Sequence, residues 1–130
     1  MERHTPKGPV LLVEDDFVLR TSLAELLMSE GYEVDCAAHG IEALNRLTQS
    51  RRKPAVIVLD IMMPYLDGIE LRSLQRRLPD VADVPVVVIT ANARSAVEAE
   101  RLDVAQTFYK PVNTGRLLET IRELTSPAAA

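Results

Sequence analysis

Residues 56–68 read VIVLDIMMPYLDG. Four apolar residues lead directly into Asp60, and Met63-Pro64 and Asp67-Gly68 then interrupt the pattern. A short apolar run that is rich in β-branched residues and followed by turn residues is typical of a buried strand. The acid at its end could be a helix cap, a metal ligand or a reactive group, so its role has to be decided from the rest of the chain.

The composition indicates one globular domain. The chain has 130 residues, of which 47% are hydrophobic and 26% charged, which is enough for one core and far from disorder. We predict no transmembrane helix and no signal peptide, because the apolar runs are too short for either. Cys36 is the only cysteine, so the chain cannot form an internal disulfide, and we expect a cytoplasmic protein. The net charge of −4 gives no reason to expect nucleic acid as a partner.

Short apolar segments alternate with segments of helical spacing. The apolar runs predict five strands, at residues 10–13, 34–37, 56–59, 86–89 and 107–109. Leucine and isoleucine at intervals of three, four and seven residues predict a helix after each strand, with the weakest pattern at residues 95–102. Gly31 is predicted to end the first helix and Asn113 to cap the last.

This alternation predicts an α/β fold. Because the strands are continuously apolar, both faces of the sheet should be covered by helices, as in parallel sheets with right-handed crossovers. We expect a flavodoxin-like, doubly wound sheet of five parallel strands in the order 2-1-3-4-5, with five helices. The domain is predicted to span residues 9–125, with residues 1–8 and 126–130 as flexible tails.

Acidic residues follow two strands that this order makes neighbours. Polar residues at the predicted strand ends are Glu14-Asp15-Asp16, Asp60, Thr90 and Lys110. Ligands in such sheets bind beyond the carboxyl ends of the strands, where the strand order reverses. Clustered carboxylates disfavour joint ionisation, so we expect a cation, and oxygen ligands beside an open edge suit Mg²⁺. A phosphoryl group at Asp60 would meet the metal, an ammonium and a hydroxyl.

Each of these residues has a simpler interpretation when it is taken alone. Asp15 or Asp16 could be an acid that is favourable at a helix N-terminus. Thr90 could be an ordinary β-branched strand residue, and Lys110 a surface lysine. For Asp67, which precedes Gly68, we keep the interpretation of a helix cap. The convergence of all four elements at one edge is what favours a functional site.

Four motifs in this arrangement resemble the receiver domain of two-component response regulators, in particular the stand-alone chemotaxis type. They are LLVEDD at 11–16, LDIMMPYLDG at 59–68, VITA at 88–91 and YKPV at 109–112. The resemblance implies that Asp60 is the phospho-acceptor and that Thr90 and Lys110 contact the phosphoryl group. It also implies that Asp15, Asp16 and the backbone carbonyl of Met62 hold Mg²⁺ together with Asp60, and that the Lys110–Pro111 peptide bond is cis.

The resemblance also implies partners. The phosphoryl group would come from a sensor histidine kinase or a histidine phosphotransfer protein, and phosphorylation would switch affinity for a downstream protein or effector domain. A homodimer through helix 4, strand 5 and helix 5 is compatible with it. The chain would catalyse only its own Mg²⁺-dependent phosphorylation and dephosphorylation, and we expect no contact with nucleic acid or a membrane. Whether the receiver stands alone or is part of a larger regulator stays open.

One position departs from the family pattern. Receivers usually carry Tyr or Phe three residues before the lysine, whereas this chain has Thr107 there. We therefore predict that activation moves Thr90 and residues 91–95 without an aromatic rotation at position 107, or alternatively that Tyr109 takes over that role. Two other functions are alternatives: a pseudo-receiver that acts as a phosphorylation-independent interaction module, and a hydrolase of the haloacid dehalogenase type. The latter requires a second acid where this chain has Met62.

Overall fold

The computed structural model describes residues 7–49, 52–63 and 65–126. Five strands alternate with five helices along the chain. The strands are β1 (Lys7–Val13), β2 (Tyr32–Ala37), β3 (Val56–Asp60), β4 (Val86–Thr90) and β5 (Gln106–Tyr109). The helices are α1 (Phe17–Ser29), α2 (Gly40–Gln49), α3 (Gly68–Gln75), α4 (Ala93–Glu100) and α5 (Thr114–Thr125).

All five strands are parallel and lie in the order β2-β1-β3-β4-β5. The predicted doubly wound sheet with five helices is therefore confirmed. Because β1 begins at Lys7, Lys7 and Gly8 belong to the sheet and not to a tail over residues 1–8. Ser126, the first residue of the other predicted tail, is the C-cap of α5. Residues 1–6 and 127–130 of the predicted tails lie outside the described residues, as do residues 50, 51 and 64.

Two apolar cores cover the two faces of the sheet. Alternate residues of β3 point into them: Ile57 and Leu59 pack on the side of α2, α3 and α4, whereas Val56 and Val58 pack on the side of α1 and α5. Every residue of β3 and of β4 is buried. This explains why both strands are continuously apolar in sequence, since neither has a face toward water.

The helix ends follow the local sequence. Gly31 has φ of 95°, a left-handed conformation, and its N–H donates to the carbonyl of Met28 at 3.0 Å, which ends α1. The side chain of Asn113 accepts from the N–H of Arg116 at 3.1 Å and caps α5. Both predicted helix boundaries are confirmed. Among the described helices, none has both the length and the apolar content that crossing a membrane requires.

Candidate functional site

The carboxyl ends of β1, β3, β4 and β5 bring charged and polar side chains together at one edge of the sheet. Carboxylate oxygens of Glu14, Asp15 and Asp60 all lie within 4.8 Å of one another. Glu14 is fully buried, Asp60 is 2% exposed, and Asp15 is exposed at the rim. The predicted convergence of acids at the strand ends is therefore present, with two of the three acids removed from water.

Asp60 is the last residue of β3 and has two close partners. The N–H of Met62 donates to Oδ1 at 3.1 Å, and Lys110 Nζ donates to Oδ2 at 3.2 Å. Burial, followed by the charge of Glu14, raises the pKa of Asp60 to about 7, although Lys110 lowers it. The apolar strand thus ends on an acid whose carboxylate form is stabilised by the positive charge beside it.

Lys110 is the cation that joins two of the acids. Its Nζ lies 2.9 Å from Glu14 Oε1 and 3.2 Å from Asp60 Oδ2. The contact with Glu14 is an ion pair that lacks the alignment of a hydrogen bond. Burial lowers the pKa of Lys110, but Glu14 and Asp60 outweigh that effect and the net shift is upward. Lys110 is therefore held as an ammonium between the two buried carboxylates.

Asp16 does not belong to the acidic cluster, contrary to the predicted metal pair of Asp15 and Asp16. Its side chain caps α1, where Oδ1 accepts from the N–H of Leu19 at 3.0 Å. The acid that joins Asp15 and Asp60 is Glu14, which follows the last residue of β1. An acid immediately before the first helical residue is the usual N-cap, so this role falls to Asp16 once the start of α1 at Phe17 is known.

The loop between β3 and α3 is held tightly against the end of β3. Asp67 and Glu70 form a capping box, so the interpretation of Asp67 as a helix cap is confirmed. The N–H of Gly68 donates to the carbonyl of Ile61 at 3.0 Å, and a Cβ on Gly68 would lie 2.8 Å from Ile61 Cα. Only glycine fits this close approach, which fixes the backbone of the residues that follow Asp60.

Residues of β4 and β5 complete the edge. Thr90 is fully buried, and its Oγ1 accepts from the N–H of Asn92 at 3.1 Å. It is in register with Tyr109, which is 55% exposed, while Thr107 carries a buried hydroxyl without a hydrogen-bond partner among the described residues. The Lys110–Pro111 bond is cis, as predicted.

The residues present fit a hard divalent cation. The cluster offers only carboxylate oxygens, and the exposed Asp15 leaves one side open to water, as Mg²⁺ sites in proteins usually are. One ammonium faces the two buried acids, so a further cation would relieve the remaining repulsion. The backbone N–H of Met62 donates to the Asp60 carboxylate. The role of the Met62 carbonyl as a metal ligand stays a prediction.

Known proteins resemble this chain along most of its length. The family model described as the response regulator receiver domain matches residues 10–122. Response regulator MprA of Mycobacterium sp. (strain KMS) is 38% identical over 123 residues, which are 91% of this chain and 52% of that protein. MprA of Mycobacterium avium (strain 104) is 38% identical over 117 residues, which are 88% of this chain and 50% of that protein. The chain spans about half the length of these curated relatives.

Solved structures of response regulators and their receiver domains share this fold. Chemotaxis response regulator CheY4 of Vibrio cholerae superposes with a TM-score of 0.81 and 28% identity, covering 91% of this chain and 98% of that one. The receiver domain of Francisella response regulator 1452 gives a TM-score of 0.81 and 27% identity, covering 91% and 96%. The family match, the identity to curated regulators and the shared sheet topology agree, and the chain belongs to the response regulator receiver domain family of two-component systems.

Proposed function

We propose that Asp60 accepts a phosphoryl group from the phosphohistidine of a sensor histidine kinase or of a histidine phosphotransfer protein. One observation carries this proposal: a strand-end carboxylate that is 2% exposed contacts an ammonium at 3.2 Å and a backbone N–H at 3.1 Å. Phosphoryl transfer depends mainly on positioning and on positive charge around the transferred group. The edge of the sheet supplies both around Asp60.

The chemistry requires the charged form of Asp60. A carboxylate oxygen forms a bond to phosphorus while the bond between phosphorus and the histidine nitrogen breaks, and the electron pair stays on that nitrogen. Burial and the neighbouring Glu14 raise the pKa of Asp60 to about 7, so they favour the unreactive acid. Additional positive charge at the site therefore favours the nucleophile as well as the transferred group.

Mg²⁺ is the proposed source of that charge, held by Asp15 and Asp60, with Glu14 beside it and the carbonyl of Met62 as a further ligand. When bound, Mg²⁺ supplies positive charge to the phosphoryl oxygens. Asp16 is not part of this ligand set, because its carboxylate is used to cap α1. The charges of the three clustered carboxylates support the assignment of a cation to this site.

Lys110 and Thr90 are proposed to act on the transferred group. Lys110 contacts both Glu14 and Asp60. Its ammonium can therefore contact a phosphoryl oxygen on Asp60 while it stays paired with Glu14. The hydroxyl oxygen of Thr90 accepts one hydrogen bond, from the N–H of Asn92, and the hydroxyl can donate its own hydrogen to the phosphoryl group. Phosphorylation would then change affinity for a downstream protein or effector domain, with α4, β5 and α5 as the surface of a possible homodimer.

The test is incubation with Mg²⁺ and acetyl phosphate, followed by intact mass measurement. The wild type should gain the mass of one phosphoryl group, and Asp60→Asn should gain none. Asp67→Asn is the matched control, because it changes an acid of the same loop that only caps α3, and it should keep most of the incorporation. Phosphate found on another residue of the Asp60→Asn protein would contradict the assignment.

The same measurement separates the alternatives. A wild type that gains no mass would support a pseudo-receiver, which acts through phosphorylation-independent contacts. Slow turnover of a phosphate ester without a stable adduct, followed in a separate assay of released phosphate, would support a hydrolase instead. Loss of the adduct over time, by attack of water on phosphorus, is expected of a receiver that dephosphorylates itself, so the decay of the mass should also be followed.

A further inference from the structure

The turn between β1 and α1 uses most of its polar groups internally. The N–H of Glu14 donates to the carbonyl of Ala37 at 3.0 Å, and the N–H of Asp16 donates to Glu14 Oε2 at 2.9 Å. The carboxylate of Asp16 accepts from Leu19. Among the described residues, the carboxylate of Asp15 has no hydrogen-bond partner, so both of its oxygens are free to bind a ligand.

Arg20, the fourth residue of α1, closes this turn with its side chain. Its Nη1 donates to the carbonyl of Glu14 at 2.7 Å and lies 3.4 Å from the carbonyl of Asp15. The guanidinium also lies over the ring of Phe17, with 5.6 Å between Cζ and the ring centroid. A single side chain therefore ties the backbone of two clustered acids to the first turn of the helix.

The acceptors of Arg20 are backbone carbonyls and not carboxylates. An arginine that paired with Asp15 or Asp60 would compete with a metal for the same oxygens. Through the carbonyls, Arg20 instead fixes the backbone from which the Glu14 and Asp15 side chains extend, and their carboxylates keep their metal-binding capacity. Groups outside the metal ligands that orient those ligands commonly control metal affinity in this way.

We propose that Arg20 is a positioning residue for the metal site, holding the turn so that Asp15 faces Asp60. This inference rests on the Mg²⁺ site of the proposed function. Two effects of Arg20 oppose each other: its positive charge disfavours a nearby cation, and its hydrogen bonds hold the ligands in place. Arg20 is partly exposed, so water and salt screen its charge, and we expect the positioning effect to be the larger.

Calorimetric titration of the metal-free chain with Mg²⁺ alone tests this proposal. Arg20→Met should bind Mg²⁺ about 10-fold more weakly than the wild type, the loss typical of a removed orienting group. Arg20→Lys keeps the charge and can still donate to one carbonyl, so it should recover part of the affinity. Arg122→Met is the matched control, since it removes an equal charge from an exposed ion pair with Glu30 and should bind like the wild type.

A kinetic measurement gives a second readout. With acetyl phosphate as donor, the Mg²⁺ concentration that gives half the maximal phosphorylation rate should rise in Arg20→Met, while the rate at saturating Mg²⁺ should change little. Mg²⁺ affinity in Arg20→Met equal to or higher than in the wild type would overturn the proposal and leave phosphorylation of Asp60 untouched. A wild type that binds no Mg²⁺ would overturn it together with the proposed metal site, whereas a wild type that binds Mg²⁺ but leaves Asp60 unmodified would overturn only the proposed function.

Discussion

Asp15 and Asp16 are adjacent in sequence but have different environments, so they should respond differently to substitution. The Asp16 carboxylate caps α1, and the Asp15 carboxylate belongs to the acidic cluster. Asp16→Ala should lower the free energy of unfolding by about 1 kcal/mol, the usual effect of losing an N-cap. Asp15→Asn should instead remove most of the stabilisation that millimolar Mg²⁺ gives the wild type, because that stabilisation follows metal affinity.

Thermal melts with and without Mg²⁺ measure both effects. The Asp16→Ala protein should melt at a lower temperature in either condition and still gain stability from Mg²⁺ about as the wild type does. The Asp15→Asn protein should gain little. If Asp16→Ala abolished the response to Mg²⁺ and Asp15→Asn did not, Asp16 would be a metal ligand, as the resemblance implies.

At the scale of secondary structure elements, a buried polar network joins α3 to the loop that precedes β4 and to the loop between α4 and β5. Arg72, which is 6% exposed, donates to the carbonyls of Leu102 and Asp103 at 3.0 and 2.9 Å. It also donates to Gln75 Oε1 at 2.8 Å, and Gln75 Nε2 in turn donates to the carbonyls of Val81 and Val84. Burial lowers the pKa of Arg72, with the charge of Arg76 as a smaller cause.

This network should matter for stability and for the order of the loop that leads into β5. Arg72→Met would leave two partly buried carbonyls without donors, so we expect a loss of about 2 to 4 kcal/mol in the free energy of unfolding. Chemical denaturation measures that loss. Amide hydrogen exchange should increase mainly at residues 101–105, and Arg76→Met serves as the control because Arg76 is exposed. Uniformly faster exchange would instead indicate a general loss of stability.

β5 carries the departure from the usual receiver pattern. Tyr109 is 55% exposed beside Thr90, and Thr107 is too small to fill the space of an aromatic ring. We therefore predict that Tyr109→Ala keeps phosphorylation by acetyl phosphate and keeps the phosphorylation-dependent change in amide hydrogen exchange of residues 91–95. Thr107→Tyr is the companion variant, which restores the ring that receivers usually carry. Loss of the exchange change in Tyr109→Ala with phosphorylation intact would make Tyr109 the switch residue.

For the molecule as a whole, the sheet was predictable because its three central strands, β1, β3 and β4, contain continuous apolar runs. The runs that end at Val13, Leu59 and Ile89 identify the strands, and the strand order then brings Asp60 close to Lys110. What sequence could not supply was the direction of each acid after Val13. The roles of these acids depend on where α1 begins: with Phe17 as its first residue Asp16 is the N-cap, whereas a start one residue earlier would make Asp15 the cap. The polar network of Arg72 joins residues about 30 positions apart, which local patterns do not reveal.

The buried acid also makes the stability of the whole protein depend on pH. Folding raises the pKa of Asp60 from 3.8 to about 7, so the folded state keeps a proton that the unfolded state has lost between these values. The contribution of Asp60 to stability is therefore fully present below about pH 4 and is lost as pH rises to about 7. Glu14, Asp15 and Lys110 are the charged groups that face Asp60 in the described structure.

Asp60→Asn removes this titration and should make the metal-free protein less sensitive to pH. Relative to the wild type, the variant should gain stability as pH rises from 4 to 7.5, on the order of a few kcal/mol, since one pKa unit corresponds to about 1.4 kcal/mol. Denaturation in EDTA across this range measures the difference between the two proteins, which cancels the titration of groups that they share. Adding Mg²⁺ at pH 7.5 should recover wild-type stability and have a smaller effect on the variant. A difference that stayed constant with pH would mean that Lys110 alone keeps Asp60 ionised, and the site would then not need a metal to charge its nucleophile.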